Sequence, residues 1–116
     1  MLTLRIRSQS IRTFSNLQYN EEGSDLLGAE IKIVLTKNGY QGALQIAEGG
    51  PSQFMVVNVI FEKNTVRFHI PTSYPIYGGG TFEGKIDPQK IRGRFRFDGK
   101  AWDQEDLTRG RSYWDK

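Results

Sequence analysis

Apolar and polar residues alternate along most of the chain. Residues 29–36 read AEIKIVLT, in which every second residue is apolar, and the pair Asn38-Gly39 follows them. Such alternation indicates a β-strand with one buried face, and Asn-Gly is the pair that favours a two-residue hairpin. The same pattern predicts further strands at residues 40–48, 54–61, 65–70, 80–86, 90–97 and near 104–109.

Turn-forming residues separate these strands at intervals of about ten residues. Two examples are Gly49-Gly50-Pro51 and Asp87-Pro88-Gln89. No segment has a sustained helical period, so the pattern predicts an all-β protein: an antiparallel up-and-down meander of about eight strands that closes into a barrel or a sandwich. Within residues 1–19, LTLRIR and IRTFSNLQY are expected to add one or two strands, and NEEGSDLLG is expected to be a connection.

The composition is that of one globular domain. The chain has 116 residues, of which 12% are aromatic and 25% charged. It contains no cysteine, which excludes a disulfide framework and a thiolate metal site and fits a reducing compartment. Arg5 and Arg7 interrupt the apolar start of the chain, so no signal peptide is predicted. No apolar run approaches the roughly twenty residues of a membrane span, and we expect a cytoplasmic protein with no membrane partner.

Residues suited to catalysis are few. Any Ser-His-Asp arrangement would have to use the single histidine, His69, which lies at a strand position typical of a surface or rim side chain. One histidine is also too few for an ordinary zinc site. The acidic residues Asp103, Glu105 and Asp106 lie beside a predicted loop, where carboxylates are usually solvated. We therefore expect no enzyme, no catalytic residues, no metal and no cofactor.

The stretch YGGGTFEGKIDPQKIRGRFRF, residues 77–97, is rich in glycine and in basic residues. A phosphate-binding loop needs a helix after the glycines, whereas the pattern here predicts a strand. Gly84 and Gly93 instead share the inward side of their strands with apolar residues. Glycine at such positions lets a sheet bend or lets a large neighbour lie over the backbone.

The outward side of strand 90–97 carries three arginines, Arg92, Arg94 and Arg96. They are suited to a solvated face whose stems cover apolar surface, or to a groove that follows the phosphates of a nucleic acid or binds another anion. The net charge of +3 is modest, and Glu83 is expected on the same side of the neighbouring strand. The solvated face is therefore favoured, and anion binding is the alternative.

The chain contains four segments in a characteristic order: LLGAEIKIVLTKNGYQGALQIAEGG, VRFHIP, TFEGKIDPQKIRGRF and DLTRGRSYW. In this order they resemble small lipocalin-like (calycin-type) β-barrel domains, which occur alone in bacteria or fused to serine hydrolases and β-lactamase-like enzymes. The resemblance covers residues 25–114 of a single domain, 1–116, in which residues 1–24 supply entry strands and a connection. It implies a carrier or binding module with no catalytic residues.

The resemblance also implies a role for one late arginine. In lipocalin-like barrels such an arginine packs over an aromatic residue of the first strand and closes the barrel end. Arg109, in the sequence LTRG, resembles that arginine. The family's Gly-x-Trp is absent, and Phe14 is the nearest aromatic by order. We therefore expect Arg109 to be buried against Phe14, with Tyr113 and Trp114 as alternatives.

A ligand inside such a barrel would contact the inward side chains. The residues predicted to line it are Tyr40, Leu44, Phe68, Phe82 and Phe95, with Tyr74 and Tyr77 at the mouth. Inward glycines at positions 42, 84 and 93 either make room or let neighbouring rings fill the space. Residues 71–80, PTSYPIYGGG, are expected either to form a lid over the barrel mouth or to plug the barrel with Tyr74 and Ile76. The expected function is binding of a small apolar ligand, or service as an interaction module.

Strand 54–61, FMVVNVIF, is apolar on both faces. A barrel strand normally presents one polar face to water. One apolar face of this strand is therefore expected to be covered by the N-terminal segment or by a second subunit. If the strand forms a homodimer contact, we expect Met55, Val57 or Val59 to lie in it.

Overall fold

The computed structural model describes residues 11–115, which form ten strands joined by turns and loops. The strands are β1 (Ile11–Ser15), β2 (Gln18–Asn20), β3 (Asp25–Thr36), β4 (Gly39–Gly49), β5 (Met55–Glu62), β6 (Thr65–His69), β7 (Thr81–Ile86), β8 (Lys90–Phe97), β9 (Lys100–Ala101) and β10 (Glu105–Arg109). Across this range we find no helix with the length and apolar character that a bilayer crossing requires.

Eight of the ten strands form a closed antiparallel barrel. Strands β3 to β8 follow one another as a meander, and β10 pairs with β8. β1 completes the circuit because it pairs with both β10 and β3. The short strands β2 and β9 extend β3 and β8 respectively. The predicted all-β meander that closes into a barrel is confirmed.

The entry to the barrel differs from the expectation in one respect. IRTFSNLQY contains β1 and β2, as predicted, whereas LTLRIR lies outside the described residues. Residues 20–28 are a hairpin rather than the expected connection, because β3 already begins at Asp25 and pairs with β2. Asn16, between β1 and β2, links this segment to the rest of the barrel: its Oδ1 accepts the Ala29 N–H at 2.7 Å, and its Nδ2 donates to Glu105 at 3.0 Å.

Inward-facing apolar side chains fill the barrel. On β5 the inward residues are Met55, Val57 and Val59, and each is at most 5% exposed. They face inward because the hairpin with β6 sets Val59 opposite Phe68, whose ring lies in the core. The prediction that Met55, Val57 or Val59 lies in a dimer contact is therefore wrong. β1 does not cover β5 either, since it lies between β3 and β10.

The barrel has two dissimilar ends. The hairpin end carries the tight turns at residues 37–38, 63–64 and 87–89, together with the start of β1 and the end of β10. The loop end carries the longer connections, residues 50–54, 70–80 and 98–104.

The C-terminal residues cross the outside of β3 and β4. Ser112 donates its hydroxyl to Glu30 at 2.6 Å, and the Tyr113 N–H donates to the same carboxylate at 2.7 Å. Trp114 Nε1 donates to Gln45 at 2.8 Å. Glu30 and Gln45 point away from the barrel interior, yet they are only 2% and 6% exposed, because this segment shields them from water.

Candidate functional site

The residues predicted to line an internal ligand site fill the barrel themselves. Leu44, Phe68, Phe82 and Phe95 are all buried. The Phe68 and Phe82 rings stack at 5.1 Å, and Phe95 meets Phe82 edge-on at 4.9 Å between centroids. The inward glycines do not make room for a ligand. The Phe82 ring occupies the space at Gly93, aliphatic side chains occupy it at Gly42, and the β8 backbone occupies it at Gly84.

Gly42 and Gly93 illustrate this filling. A Cβ on Gly42 would lie 2.6 Å from the Ile31 Cδ1, and one on Gly93 would lie 2.7 Å from the Phe82 Cζ. Because real Cβ contacts are longer than this, no side chain larger than hydrogen fits at either position without movement of its neighbour. At these two positions the glycines accommodate neighbouring core side chains and do not open space for a ligand.

Residues 70–80 close the loop end as a plug. Tyr77 is only 8% exposed, and its ring lies 5.6 Å from Phe97 and 6.5 Å from Trp102. Its hydroxyl donates to Glu48 at 2.5 Å. Of the two residues predicted to form the plug, Tyr74 packs against the core, whereas Ile76 is 88% exposed and takes no part in it.

Tyr74, the other residue expected at the mouth, is half-buried beside the plug. Its hydroxyl accepts the Val56 N–H at 2.9 Å. Tyr74 and Tyr77 therefore lie at the opposite end of the barrel from Tyr40, which belongs to the hairpin end. The predicted ligand-lining residues do not come together in one site.

A pocket of about 370 Å³ opens at the hairpin end of the barrel. We call it the hairpin-end pocket, and its lining residues are Arg12, Phe14, Tyr40, Phe61, Lys63, Ile86, Asp87, Pro88 and Arg109. Tyr40 and Phe61 are the inward-facing side chains nearest this end of β4 and β5, since they lie on the same strand faces as the inward Leu44 and Val59. The turns contribute Lys63, Asp87 and Pro88. The pocket is thus the unfilled end layer of the barrel.

Aromatic rings make the apolar part of this pocket. Tyr40 and Phe61 meet edge-to-face at 5.0 Å between centroids. Phe14, 1% exposed, lies beneath them in the core, whereas Tyr40 is 41% exposed. Tyr40 thus has the predicted inward orientation, but it lies at the rim of the barrel rather than in its interior.

Arg109 is paired directly opposite Phe14 across β10 and β1. This juxtaposition follows the arrangement that the resemblance implied, but Arg109 is exposed, so the prediction that it is buried is wrong. β10 ends at Arg109, and the guanidinium therefore reaches beyond the last filled layer, where it donates to the Pro88 carbonyl at 3.3 Å. The barrel end stays open above Phe14.

Three cations and one carboxylate surround the pocket. The cations are Arg12, Lys63 and Arg109, and the carboxylate is Asp87. Asp87 stabilises its own turn, because its Oδ1 accepts the N–H groups of Gln89 and Lys90 at 2.7 and 3.0 Å. The pocket therefore combines an aromatic floor with a net positive rim.

A second concavity lies on the outside of the barrel across β4 to β8. This outer groove has a volume of about 850 Å³ and contains Val56, Ile60, His69 and Arg96. Val56 and Ile60 are 52% and 45% exposed. The apolar outer face of β5 is thus made by Val56 and Ile60, and not by the residues predicted to lie in a dimer contact.

The three arginines of β8 point outward, as predicted. Arg92 donates to both oxygens of Asp106 at 2.8 and 3.1 Å; these hydrogen bonds raise the pKa of Arg92 and lower that of Asp106. Arg94 lies directly opposite Glu83. In the part of the chain that the structure describes, no three His, Cys, Asp or Glu side chains are grouped so as to hold a metal ion.

Comparisons of the chain with models of known families, with curated proteins and with solved structures found no significant match in any of the three. The architecture, an eight-stranded antiparallel barrel, is consistent with a calycin-like barrel.

Proposed function

We propose that this chain is a lipocalin-like, non-enzymatic binding module that takes a small ligand with an apolar body at the hairpin-end pocket. The observation that supports this most is the pair of rings, Tyr40 and Phe61, left partly open to water over the buried Phe14. Pockets for small molecules are usually concave, aromatic and larger than about 300 Å³. The hairpin-end pocket, at about 370 Å³, meets each of these conditions.

The packed interior restricts where a ligand can go. Burial of Leu44, Phe68 and Phe95 fills the middle of the barrel, and Tyr77 fills the loop end. Opening a ligand-sized space among these side chains would cost several large-to-small rearrangements in a close-packed core. A ligand that enters at the hairpin end needs none of them.

A neutral fluorescent probe, N-phenyl-naphthylamine, tests the proposal. We expect it to bind the unaltered protein, and Tyr40→Ala to weaken binding about two- to tenfold, because an aromatic contact contributes roughly 0.5–1.5 kcal/mol. Val56→Ala is the matched control, since Val56 is also exposed and apolar but lies in the outer groove. Absence of binding, or a loss caused by Val56→Ala alone, would refute the proposal.

A second candidate function is recognition of another protein chain at the outer groove, including a second copy of this chain. The exposed pair Val56 and Ile60 supports it, because apolar side chains in a large concavity favour a partner surface. Sedimentation at micromolar concentration, with and without Val56→Lys and Ile60→Lys, tests self-association. A dimer dissociated by these changes supports it, and a monomer at every concentration excludes self-association.

Nucleic-acid binding by the arginine face of β8 has less support. Arg92 already has a bidentate partner in Asp106, and Arg94 faces Glu83. Phosphate contacts would have to displace or share these carboxylates. A steep decrease of nucleic-acid affinity with salt would be the signature of such binding.

A further inference from the structure

We propose that the ligand of the hairpin-end pocket is an amphipathic anion: a flat apolar body that carries a carboxylate, phosphate or sulfonate. This inference rests on the proposed function, and it adds the chemical class of the ligand. The apolar body would lie against Tyr40 and Phe61, and the anionic group would lie among the cations of the rim.

Two of these cations occupy inward-facing strand positions. Arg12 precedes the buried Phe14 by two residues on β1, and Arg109 follows the buried Leu107 by two residues on β10. Alternation along a strand places residues two apart on the same face. Both arginines therefore belong to the side of the sheet that lines the barrel, where the neighbouring positions are apolar.

The rim cations lack carboxylate partners among residues 11–115. The cations that form ion pairs in this range are Arg67, Lys90 and Arg92. The Arg109 guanidinium donates to the Pro88 carbonyl at 3.3 Å, and the Asp87 carboxylate accepts N–H groups of its own turn. Residues 1–10, which precede β1, contain no aspartate or glutamate. With three cations and the single carboxylate of Asp87, the rim of the pocket has a net positive charge.

The chemistry of arginine suits an anion at this site. Its guanidinium is planar, always charged and able to bind a carboxylate or phosphate with two parallel hydrogen bonds. Arg12 and Arg109 lie on adjacent strands: Arg109 is opposite Phe14, and Arg12 lies two residues nearer the start of β1 than Phe14. An anion between them could be shared, while Lys63 approaches from the turn at residues 63–64.

A matched pair of probes tests the charge requirement. Anilinonaphthalene sulfonate has the same two-part aromatic body as the neutral N-phenyl-naphthylamine and adds one anionic group. We expect the sulfonate to bind about tenfold more tightly than the neutral probe. One exposed ion pair contributes little, but the three rim cations together can supply this difference. Raising the salt concentration from roughly 50 to 500 mM should weaken only the sulfonate.

The double variant Arg12→Gln, Arg109→Gln should remove the preference for the sulfonate, so that the two probes bind with similar affinity. Arg12→Lys, Arg109→Lys should retain part of the preference, because the charge remains. Arg94→Gln, Arg96→Gln is the matched control: it removes two exposed arginines from β8, outside the hairpin-end pocket. It should alter neither affinity.

The outcomes separate this inference from the proposed function. Equal affinity for the two probes would overturn the inference while the pocket remained a site for neutral ligands. Failure of both probes to bind would overturn the proposed function and the inference together. A preference for the sulfonate that disappears in Arg94→Gln, Arg96→Gln and survives in the Arg12 and Arg109 variant would place the anion on β8 and also overturn the inference.

Discussion

Gly84 and Gly93 lie directly opposite each other on β7 and β8. A Cβ on either residue would lie 2.8 Å from the Cα of the other. The two strands therefore leave no space for a methyl group between them, and the Phe82 ring lies over Gly93 at the distance of a direct contact. This close approach lets three phenylalanine rings occupy the middle of the barrel.

Gly93→Ala should therefore destabilise the protein. The new methyl group would press on the Phe82 ring and on the β7 backbone, and overpacking of this kind costs about 1–3 kcal/mol. Gly50→Ala is the matched control, because nothing lies within 4 Å of a Cβ at Gly50. Urea denaturation would measure both changes, and an equal effect of the two substitutions would contradict the packed interior.

Closure of the barrel should depend on Phe14 far more than on Arg109. Phe14 is almost completely buried, and its truncation to alanine should reduce the free energy of unfolding by about 3–5 kcal/mol. The Arg109 side chain is exposed, and its guanidinium makes one long hydrogen bond, so Arg109→Ala should cost less than about 1 kcal/mol. A loss of 2 kcal/mol or more for Arg109→Ala would show that the arginine closes the barrel after all.

The C-terminal segment should be held by Glu30. Glu30→Ala removes the acceptor of the Ser112 hydroxyl and of the Tyr113 N–H, and we expect a loss of about 2–3 kcal/mol, the range for hydrogen bonds to a charged group. Glu62→Ala is the control, because Glu62 is exposed and pairs with Arg67 at the surface. Similar losses for the two variants in thermal unfolding would refute a special role for Glu30.

Tyr77 should make stability fall at high pH. Burial raises the pKa of its phenol well above the usual value, and the hydrogen bond to Glu48 raises it further. A pKa raised on folding stabilises the fold below the unfolded pKa, about 10 for tyrosine, and this contribution is lost progressively as the pH rises from there to the folded pKa.

The free energy of unfolding should therefore decrease above about pH 10, and it should decrease less steeply in Tyr77→Phe. Tyr19→Phe is the control, since Tyr19 is 49% exposed. Chemical denaturation at several pH values would compare the two variants. Identical pH profiles would mean that the Tyr77 phenol does not resist ionisation in the folded protein.

The alternation of apolar residues predicted the strands and most of the core. It did so because every strand of this barrel has one face in the interior, so that Phe82 and Phe95 fall at the expected parity. Parity assigns a residue to a face, but it does not say how far along the barrel axis the residue lies. Tyr40 and Arg109 are therefore inward by parity, yet both are exposed at the hairpin end.

Two other features needed more than parity. Strand β5 is apolar on both faces, and only its hairpin register with β6 decides between them: Phe61 is opposite Val66 and Val59 is opposite Phe68. This register can be predicted from the length of the two-residue turn.

The burial of Glu30 cannot be predicted from the sequence pattern. It depends on Ser112 and its neighbours, which come from a distant part of the chain and follow no periodic pattern.

The central claim is that a ligand binds at the hairpin end of a filled barrel. Proton–nitrogen correlation spectra recorded during a titration with N-phenyl-naphthylamine test this most directly. We predict that the shifted amides cluster at the turns 63–64 and 87–89 and around Tyr40, while those of Phe95 and of Val56 stay unchanged. Shifts concentrated on the middle of β6 to β8 would reveal an internal site, and shifts concentrated along the outer groove would reveal a surface site; either result would contradict the account.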